Sequence, residues 1–450
     1  MRTPFVGLAI ACALALAVAC SSSAPPPPPP TMLTQEQLQD PTICKECHEA
    51  QYDQWASSMH AYAGEDPIFI AMNARGQRDT GGALGTFCVQ CHAPLAVRAG
   101  LTTDGQNLAS LPASSKGVTC FFCHAVSGAG GADDDPLTLG TDGVMHAAIA
   151  DPAPGAPHAG DYSLLHDGHV LASSQLCGSC HDVTNQHGVS IERTFAEWSQ
   201  SEYSHQLSAN DNTRSCPSCH MPSSQGQAAT QPPTSPVREI HDHSMAGVDL
   251  ALISFPGVDA QRTLVQQQLD AAVTIKLCVA SDTANVTLES EGVGHSWPSG
   301  AIQDRRAWLE LVAKSAGQVV FQSGVVADGQ SVLSINDPNL WVFREPMLDD
   351  GGSEVSFLWQ ATSVGTTNAL PAATALVGTG AAHSVTRSFT LPAGVDDVTA
   401  RVRIAALDPA QLADLVASGD LDPSVPAAMT TISLAGGTTA WTAGGASCVP

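Results

Sequence analysis

The sequence predicts a mixed fold: a mostly irregular and α-helical first half, followed by an all-β, sandwich-like second half. Three observations lead there. Cys-x-x-Cys-His occurs five times between Cys44 and His220. Up to about Leu250 the chain is rich in Cys, His, Pro and Gly with little hydrophobic periodicity. From about Leu264 onward, short strand-like runs alternate with Gly-rich turn signals.

The repeats are Cys44/Cys47/His48, Cys88/Cys91/His92, Cys120/Cys123/His124, Cys177/Cys180/His181 and Cys216/Cys219/His220. In this spacing two cysteine sulfurs form thioethers to the vinyl groups of a haem, and the next residue turns its imidazole onto the iron. Zinc also takes paired Cys-x-x-Cys ligands, but it does not require a histidine after every second cysteine. The motif count therefore predicts five covalent haem c groups. Covalent cofactors then serve as the core of residues 41–255, which explains why so few large apolar side chains are needed there.

The N-terminus carries one charged residue, Arg2, then an apolar run from Phe5 to Val18 ending in Ala17-Val18-Ala19-Cys20. That pattern is a secretory signal peptide, residues 1–19, with an apolar core short for a membrane span. Two processing readings meet at the junction: cleavage after a small-x-small site, or a lipobox that makes Cys20 the lipidated first residue. Leu16 stands one place earlier than a lipobox leucine usually does. Of the 14 cysteines, Cys12 leaves with the signal and ten sit in the motifs, so Cys20, Cys278 and Cys448 remain. If Cys278 pairs with Cys448 in an oxidising compartment, lipidation accounts for Cys20. Residues 20–40, with six consecutive prolines ending at Pro30, then form a semi-rigid linker that lifts the protein off a membrane.

The formal charge of −25, with only 18 Lys and Arg and no basic run, excludes nucleic acid as a partner and leaves other redox proteins. In residues 256–450 strand-like runs fall at 272–277, 286–288, 308–312, 319–321, 388–391 and 399–404. They predict a β-sandwich-like domain, which a Cys278–Cys448 disulfide would close. In the first half, Tyr52-x-x-Trp55-x-x-Ser58 and Phe195-x-x-Trp198-x-x-Ser201 share one spacing, which predicts a short helix after the first and fourth motifs. Asp133-Asp134-Asp135-Pro136 reads as a solvated turn.

Each proximal histidine leaves one coordination position, and eleven histidines lie outside the motifs: His60, His146, His158, His166, His169, His187, His205, His241, His243, His295 and His383. Five suffice for two imidazoles on every iron.

Several segments resemble the cytochrome c554 family of multihaem cytochromes. They are Cys44-Lys45-Glu46-Cys47-His48 with Tyr52, Trp55, Ser58, Met59 and His60, then Gly117-Val118-Thr119-Cys120, and Glu197-Trp198-x-x-Ser201 leading to Cys216 through Pro222. The resemblance covers the motif-bearing half. It implies that His60 is a distal haem ligand. His243, in His243-Ser244-Met245-Ala246-Gly247, is favoured over His241 on the same ground. Gly294-His295-Ser296-Trp297-Pro298-Ser299-Gly300 is similar to a segment of related cytochromes with a C-terminal β domain, and implies that His295 reaches back to a haem. Between the third and fourth motifs His158, then His146, compete with His166 for the remaining role. His169, His187, His205 and His383 read as surface residues.

The reading is an exported carrier, periplasmic or anchored at the outer membrane of a bacterium, whose haems are mostly ligated by two histidines. The alternative is an oxidoreductase acting on a small nitrogen compound at one open haem. No Cys-x-x-Cys-Lys, the mark of the open haem in pentahaem nitrite reductases, occurs in the chain.

Overall fold

A computed structural model describes residues 32–445, apart from 132–133, 150, 152–153, 206–212, 234, 291, 373–375, 378–379 and 382. Cys20, the proline run and Cys448 lie outside the described residues. In the first half short helices joined by turns carry the motifs. Helix α1, Glu49–Ala56, follows His48 directly. Helix α2, Pro67–Asp79, starts where the Asp66 carboxylate accepts the Ile68 N–H and Pro67 occupies the first turn. Helices α3, Cys120–His124, α4, Thr194–Ser199, and α5, Cys216–His220, complete the set needed below. The helices expected after the first and fourth motifs are α1 and α4. The turn expected to be solvated is instead anchored: the Asp135 carboxylate is nearly enclosed and pairs with Arg98 at 2.9 Å.

The second half opens with α6, Val258–Ala272, which buries Gln261, Val265 and Leu269. The strand expected from residue 272 begins two residues later, because α6 runs through Ala272 and the buried Val273 makes the turn. Strands β1, Thr274–Ala280, and β2, Thr283–Glu289, form a hairpin in continuous register. Strands β3, Arg306–Ser315, β4, Gln318–Ser323, and β5, Trp341–Phe343, follow. They precede β6, Ser384–Thr390, β7, Asp397–Ala405, helix α7, Pro409–Ala417, and β8, Thr431–Thr442.

Two antiparallel sheets result, one ordered β6-β2-β1 and one ordered β4-β3-β7-β8, with β5 pairing on β3. Period-2 alternation sends Ala284, Val286 and Leu288 of β2 into the same apolar cluster as Ala307, Leu309 and Leu311 of β3 and Val398, Ala400 and Val402 of β7. Val265 and Leu269 of α6 enter that cluster as well. Strand β3 is covered on its other face too. There Trp308 donates to the Gly324 carbonyl at 2.8 Å and Glu310 accepts from Arg401 at 2.7 Å. Gly324 has φ +68°, and a Cβ there would strike the Leu309 carbonyl oxygen. Cys278 on β1 is disulfide-bonded.

The two halves share apolar clusters. Ile68 and Ala71 of α2 pack with Phe357, Trp359, Leu412 and Leu415, and Val189 and Ile191 pack with Met347 and Ala361. Among the described residues no helix is long and apolar enough to cross a membrane.

Arg306 and Asp408 are both buried, and the guanidinium Nε donates to the Asp408 carboxylate at 2.7 Å. The same carboxylate caps α7 through the Ala410 N–H. Asp408→Ala is expected to cost about 3–5 kcal/mol by leaving Arg306 buried and unpaired. Denaturant unfolding followed by the β-sheet circular dichroism of the holo-protein checks this; Asp408→Asn, which keeps the cap, should lose less.

Candidate haem centres

Each motif is wound into one helical turn. The His48 N–H and the Cys47 N–H both donate to the Cys44 carbonyl, at 2.8 and 3.1 Å, and His181 and Cys180 repeat this on Cys177 at 3.0 and 3.1 Å. Positions i, i+3 and i+4 of a helix share one face, so the two sulfurs and the imidazole of a motif project to the same side. Side-chain caps fix where two of these turns start: Thr119 accepts from Phe122 N–H before Cys120, and Ser215 accepts from Ser218 N–H before Cys216.

A brace built twice places those two turns. Trp55 donates its indole N–H to the Val118 carbonyl at 2.7 Å, and Trp198 donates to the Arg214 carbonyl at 2.8 Å. Each acceptor lies two residues before a motif. The Val118 N–H in turn donates to the His60 carbonyl at 2.8 Å, and the Arg214 N–H to the Tyr203 carbonyl at 2.9 Å. Gly117, with φ +69°, makes the first approach possible, since a Cβ there would collide with the His60 and Ala61 carbonyl oxygens.

Every motif histidine has Nδ1 occupied. His48 meets the Ala228 carbonyl at 2.6 Å, His124 the His146 carbonyl at 2.6 Å, His220 the Ala246 carbonyl at 3.1 Å and His92 the Ala63 carbonyl at 3.3 Å. His181 differs: its partner is the Glu192 carboxylate at 3.0 Å. An Nδ1–H held by an oxygen leaves the lone pair on Nε2, the form a metal needs. Burial holds the His48, His92 and His124 imidazoles below their ordinary range and brings His220 down to about 4, so these rings are neutral at neutral pH. For His181 burial opposes the proton, but the Glu192 carboxylate outweighs it and lifts the ring to about 9.

Four motif rings face a second imidazole. Ring centres lie 6.2 Å apart for His48 and His158, 6.2 Å for His181 and His60, 6.3 Å for His124 and His243, and 6.3 Å for His220 and His295. With metal–nitrogen bonds of about 2.0 Å, two imidazoles on one iron put their ring centres about 6.3 Å apart. The separation alone does not decide, because His169 and His241 stand 6.4 Å apart and His146 and His166 6.1 Å. The ring nitrogens separate the cases. His158, His243 and His295 place Nδ1 on carbonyls of Ala159, His241 and Ser296, and His60 places it 3.0 Å from the Met245 sulfur. All four thus keep Nε2 for the facing ring. His169 has Nε2 on Glu239, and His166 has it on the Cys123 carbonyl.

His92 is built differently. The ring of Phe69, on α2, stacks on it with centres 4.0 Å apart and planes within 2°. Among the described residues no histidine ring stands at the pairing distance from it.

A family model described as cytochrome c554 and c-prime matches residues 43–125, which hold the first three motifs. The chain is a multihaem c-type cytochrome that resembles the cytochrome c554 family. The crystal structure of a penta-heme cytochrome c552 from Thermochromatium tepidum shares the fold, with a TM-score of 0.61 at 20% identity over 92% of this chain and 100% of that one. No curated protein matches. The residues fit the cofactor and do not fit zinc: among those described, no three Cys, His, Asp or Glu side chains converge as a zinc site requires.

The cytochrome also brings its motifs together in a definite pattern. The sulfurs of Cys44 and Cys120 lie within hydrogen-bonding reach, as do those of Cys177 and Cys216 and those of Cys180 and Cys91. Cys123 feels the charge of both Cys177 and Cys180 when they ionise. Because the sulfurs attach at the porphyrin edge, these approaches mark neighbouring haems: first with third, third with fourth, and fourth with both second and fifth.

The remaining sequence candidates are also placed. His146 offers its carbonyl to His124 Nδ1, which puts it behind that ring and away from Nε2; its own ring is near His166. His187 and His205 are exposed, His169 is an exposed partner of Glu239, and His383 is half-buried with its Nε2 enclosed. Sequence reasoning missed Glu192 and Glu197. Glu197 accepts from the Ser296 N–H at 3.1 Å and the Ser299 hydroxyl at 2.8 Å, and so seats the His295 segment on α4. The repeated Glu-Trp context carried a signal for Glu197; Glu192 had none.

Trp198→Phe keeps the ring and removes the N–H, leaving the Arg214 carbonyl without its donor. A loss of about 1–3 kcal/mol is expected, read as a lower thermal unfolding midpoint with haem content unchanged. A midpoint equal to wild type would show that the brace does not hold the fifth motif.

Proposed function

We propose that the chain is an exported electron-transfer protein with five covalent c-type haems, one on each motif, acting in the periplasm or at the outer cell surface between other redox proteins. The observation that carries this reading is the set of four facing imidazole pairs, each ring with Nδ1 engaged and Nε2 free. In the proposed ligand set His158, His60, His243 and His295 are distal to His48, His181, His124 and His220 respectively. Haem supplies an iron that takes up and releases one electron, and two imidazoles keep it low-spin and closed to substrate. The polypeptide fixes the imidazole directions, attaches the porphyrin edges and brings neighbouring edges together.

Intact mass of the purified protein after acid–acetone extraction is expected to retain five haem increments. Single changes of His60, His158, His243 or His295 to Ala should each convert one low-spin electron paramagnetic resonance signal to high-spin without haem loss, because the thioethers persist. His146→Ala and His166→Ala should leave the spin state unchanged. Silent spectra in all four distal variants would overturn the ligand set.

His92 supports a second reading, in which one haem is open and the protein is an oxidoreductase for a small nitrogen compound. Carbon monoxide binding to one haem in five of the reduced wild type would favour it. Five haems inert to carbon monoxide would leave the carrier reading alone.

For anchoring, we propose lipid on Cys20. Mass analysis of the native N-terminus should find a lipidated cysteine, and Cys20→Ala should release the protein from membranes. An unmodified, wholly soluble mature chain would refute the anchor.

A further inference from the structure

Four of the five motif histidines rest Nδ1 on a backbone carbonyl; His181 alone rests it on a carboxylate. The local fold makes this contact deliberate. The chain turns back after His181 into a small antiparallel ladder in which Val183 pairs with Glu192, and the Phe195 N–H donates to the His181 carbonyl. The Glu192 side chain is thereby returned to the ring that precedes the ladder, with one-fifth of its surface exposed. The nearest guanidinium does not neutralise it by pairing. Arg305 forms a two-pronged ion pair with Asp249, at 2.6 and 2.8 Å, and donates to the Ala406 carbonyl.

A carboxylate draws the Nδ1 proton further from the ring than a carbonyl does, which makes Nε2 a more basic, more imidazolate-like ligand. It also sets a negative charge one imidazole away from the iron. Both effects favour Fe(III) over Fe(II), since the oxidised iron carries the extra positive charge.

We infer that Glu192 acts as a positioning residue that lowers the reduction potential of the haem on His181 below that of a carbonyl-held equivalent, at the motif through which all the others connect. The inference rests on the electron-transfer reading and specifies one of its parts. The fourth motif touches the second, third and fifth, and the first reaches it through the third. An electron crossing from one end of the set to another therefore reduces the iron on His181 as its neighbour is oxidised, and reoxidises it when it leaves. No proton transfer or added reactant is required. A low-potential junction makes this haem the last to fill and the first to empty, so electrons reside on the outer haems and pass through the centre one at a time.

The test is a spectroelectrochemical titration of the full holo-protein, wild type against Glu192→Gln, with Glu192→Asp as a milder change. The component belonging to His181 is identified independently as the one that turns high-spin in His60→Ala. In Glu192→Gln that component is expected to move to higher potential by more than any other, and in Glu192→Asp by less. Superimposable titrations, with haem count and low-spin spectrum unchanged, would overturn the inference. So would an equal upward shift of every component, which would report only the loss of one negative charge. If Glu192→Gln does not mature, Glu192→Asp decides in the same two ways. The electron-transfer reading fails separately, on the haem count and spin state of the wild type.

Discussion

A histidine ring held at Nδ1 has only one direction left in which to offer its other nitrogen, and the motif-bearing half is organised around that restriction. The acceptors come from far along the chain. Ala228 serves His48, Ala246 serves His220, Ala63 serves His92 and His146 serves His124. Stretches without secondary structure are thus pinned by their carbonyls to the backs of imidazoles, in the way that a conventional domain pins loops to an apolar core. This accounts for a long, Gly- and Pro-rich half that is ordered with few large buried side chains. Its backbone polar groups are satisfied by rings and short turns rather than by sheet ladders.

The second half follows the usual rule of burial. Its two sheets and α6 share one apolar cluster, and its buried charges come in pairs such as Arg306 with Asp408 and Arg403 with Glu310. The seam between the halves uses both kinds of chemistry. Aromatic and aliphatic side chains of α2 and α7 meet around Trp359, while polar side chains of α4 hold the segment 295–300 through Glu197 and Thr194. A carboxylate that accepts a backbone N–H and a hydroxyl fixes that segment more narrowly than apolar contact would, because hydrogen bonds are directional.

Much of this was legible in the residues. Strand-like runs from 286 to 404 became β2, β3, β4, β6 and β7, since alternation of apolar and polar residues is set by the pleat and survives in any sandwich-like packing. The repeated Trp-x-x-Ser spacing announced α1 and α4. Helices α2 and α6 went unread: each presents its apolar face to the other half or to the sheets, and Asn, Gln and Arg dilute the period. The motif cysteines and histidines needed no fold to be recognised. Which outer histidine faces which motif did need one, because it depends on Nδ1 partners supplied by backbone carbonyls, which no side-chain pattern encodes. Glu192 was invisible for the same reason, being brought to His181 by a ladder of two short strands.

The duplicated brace has a consequence for how the protein is made. Ser58 is followed two residues later by His60, whereas Ser201 is followed two residues later by Tyr203, and both residues offer the equivalent carbonyl to the chain before the next motif. The second copy therefore keeps the scaffold of the first and lacks its imidazole. The ring that faces His220 comes instead from His295, beyond α6 and the β1–β2 hairpin, and its neighbour Gly294 packs on Trp198 and Tyr203. A chain emerging from its N-terminus holds the facing rings for the first, third and fourth motifs once residue 243 has crossed. The fifth waits for the second half. Sheet formation and the closing of the last motif are then one maturation step, and a chain cut short before residue 295 carries a complete set of cysteines with an unfinished centre.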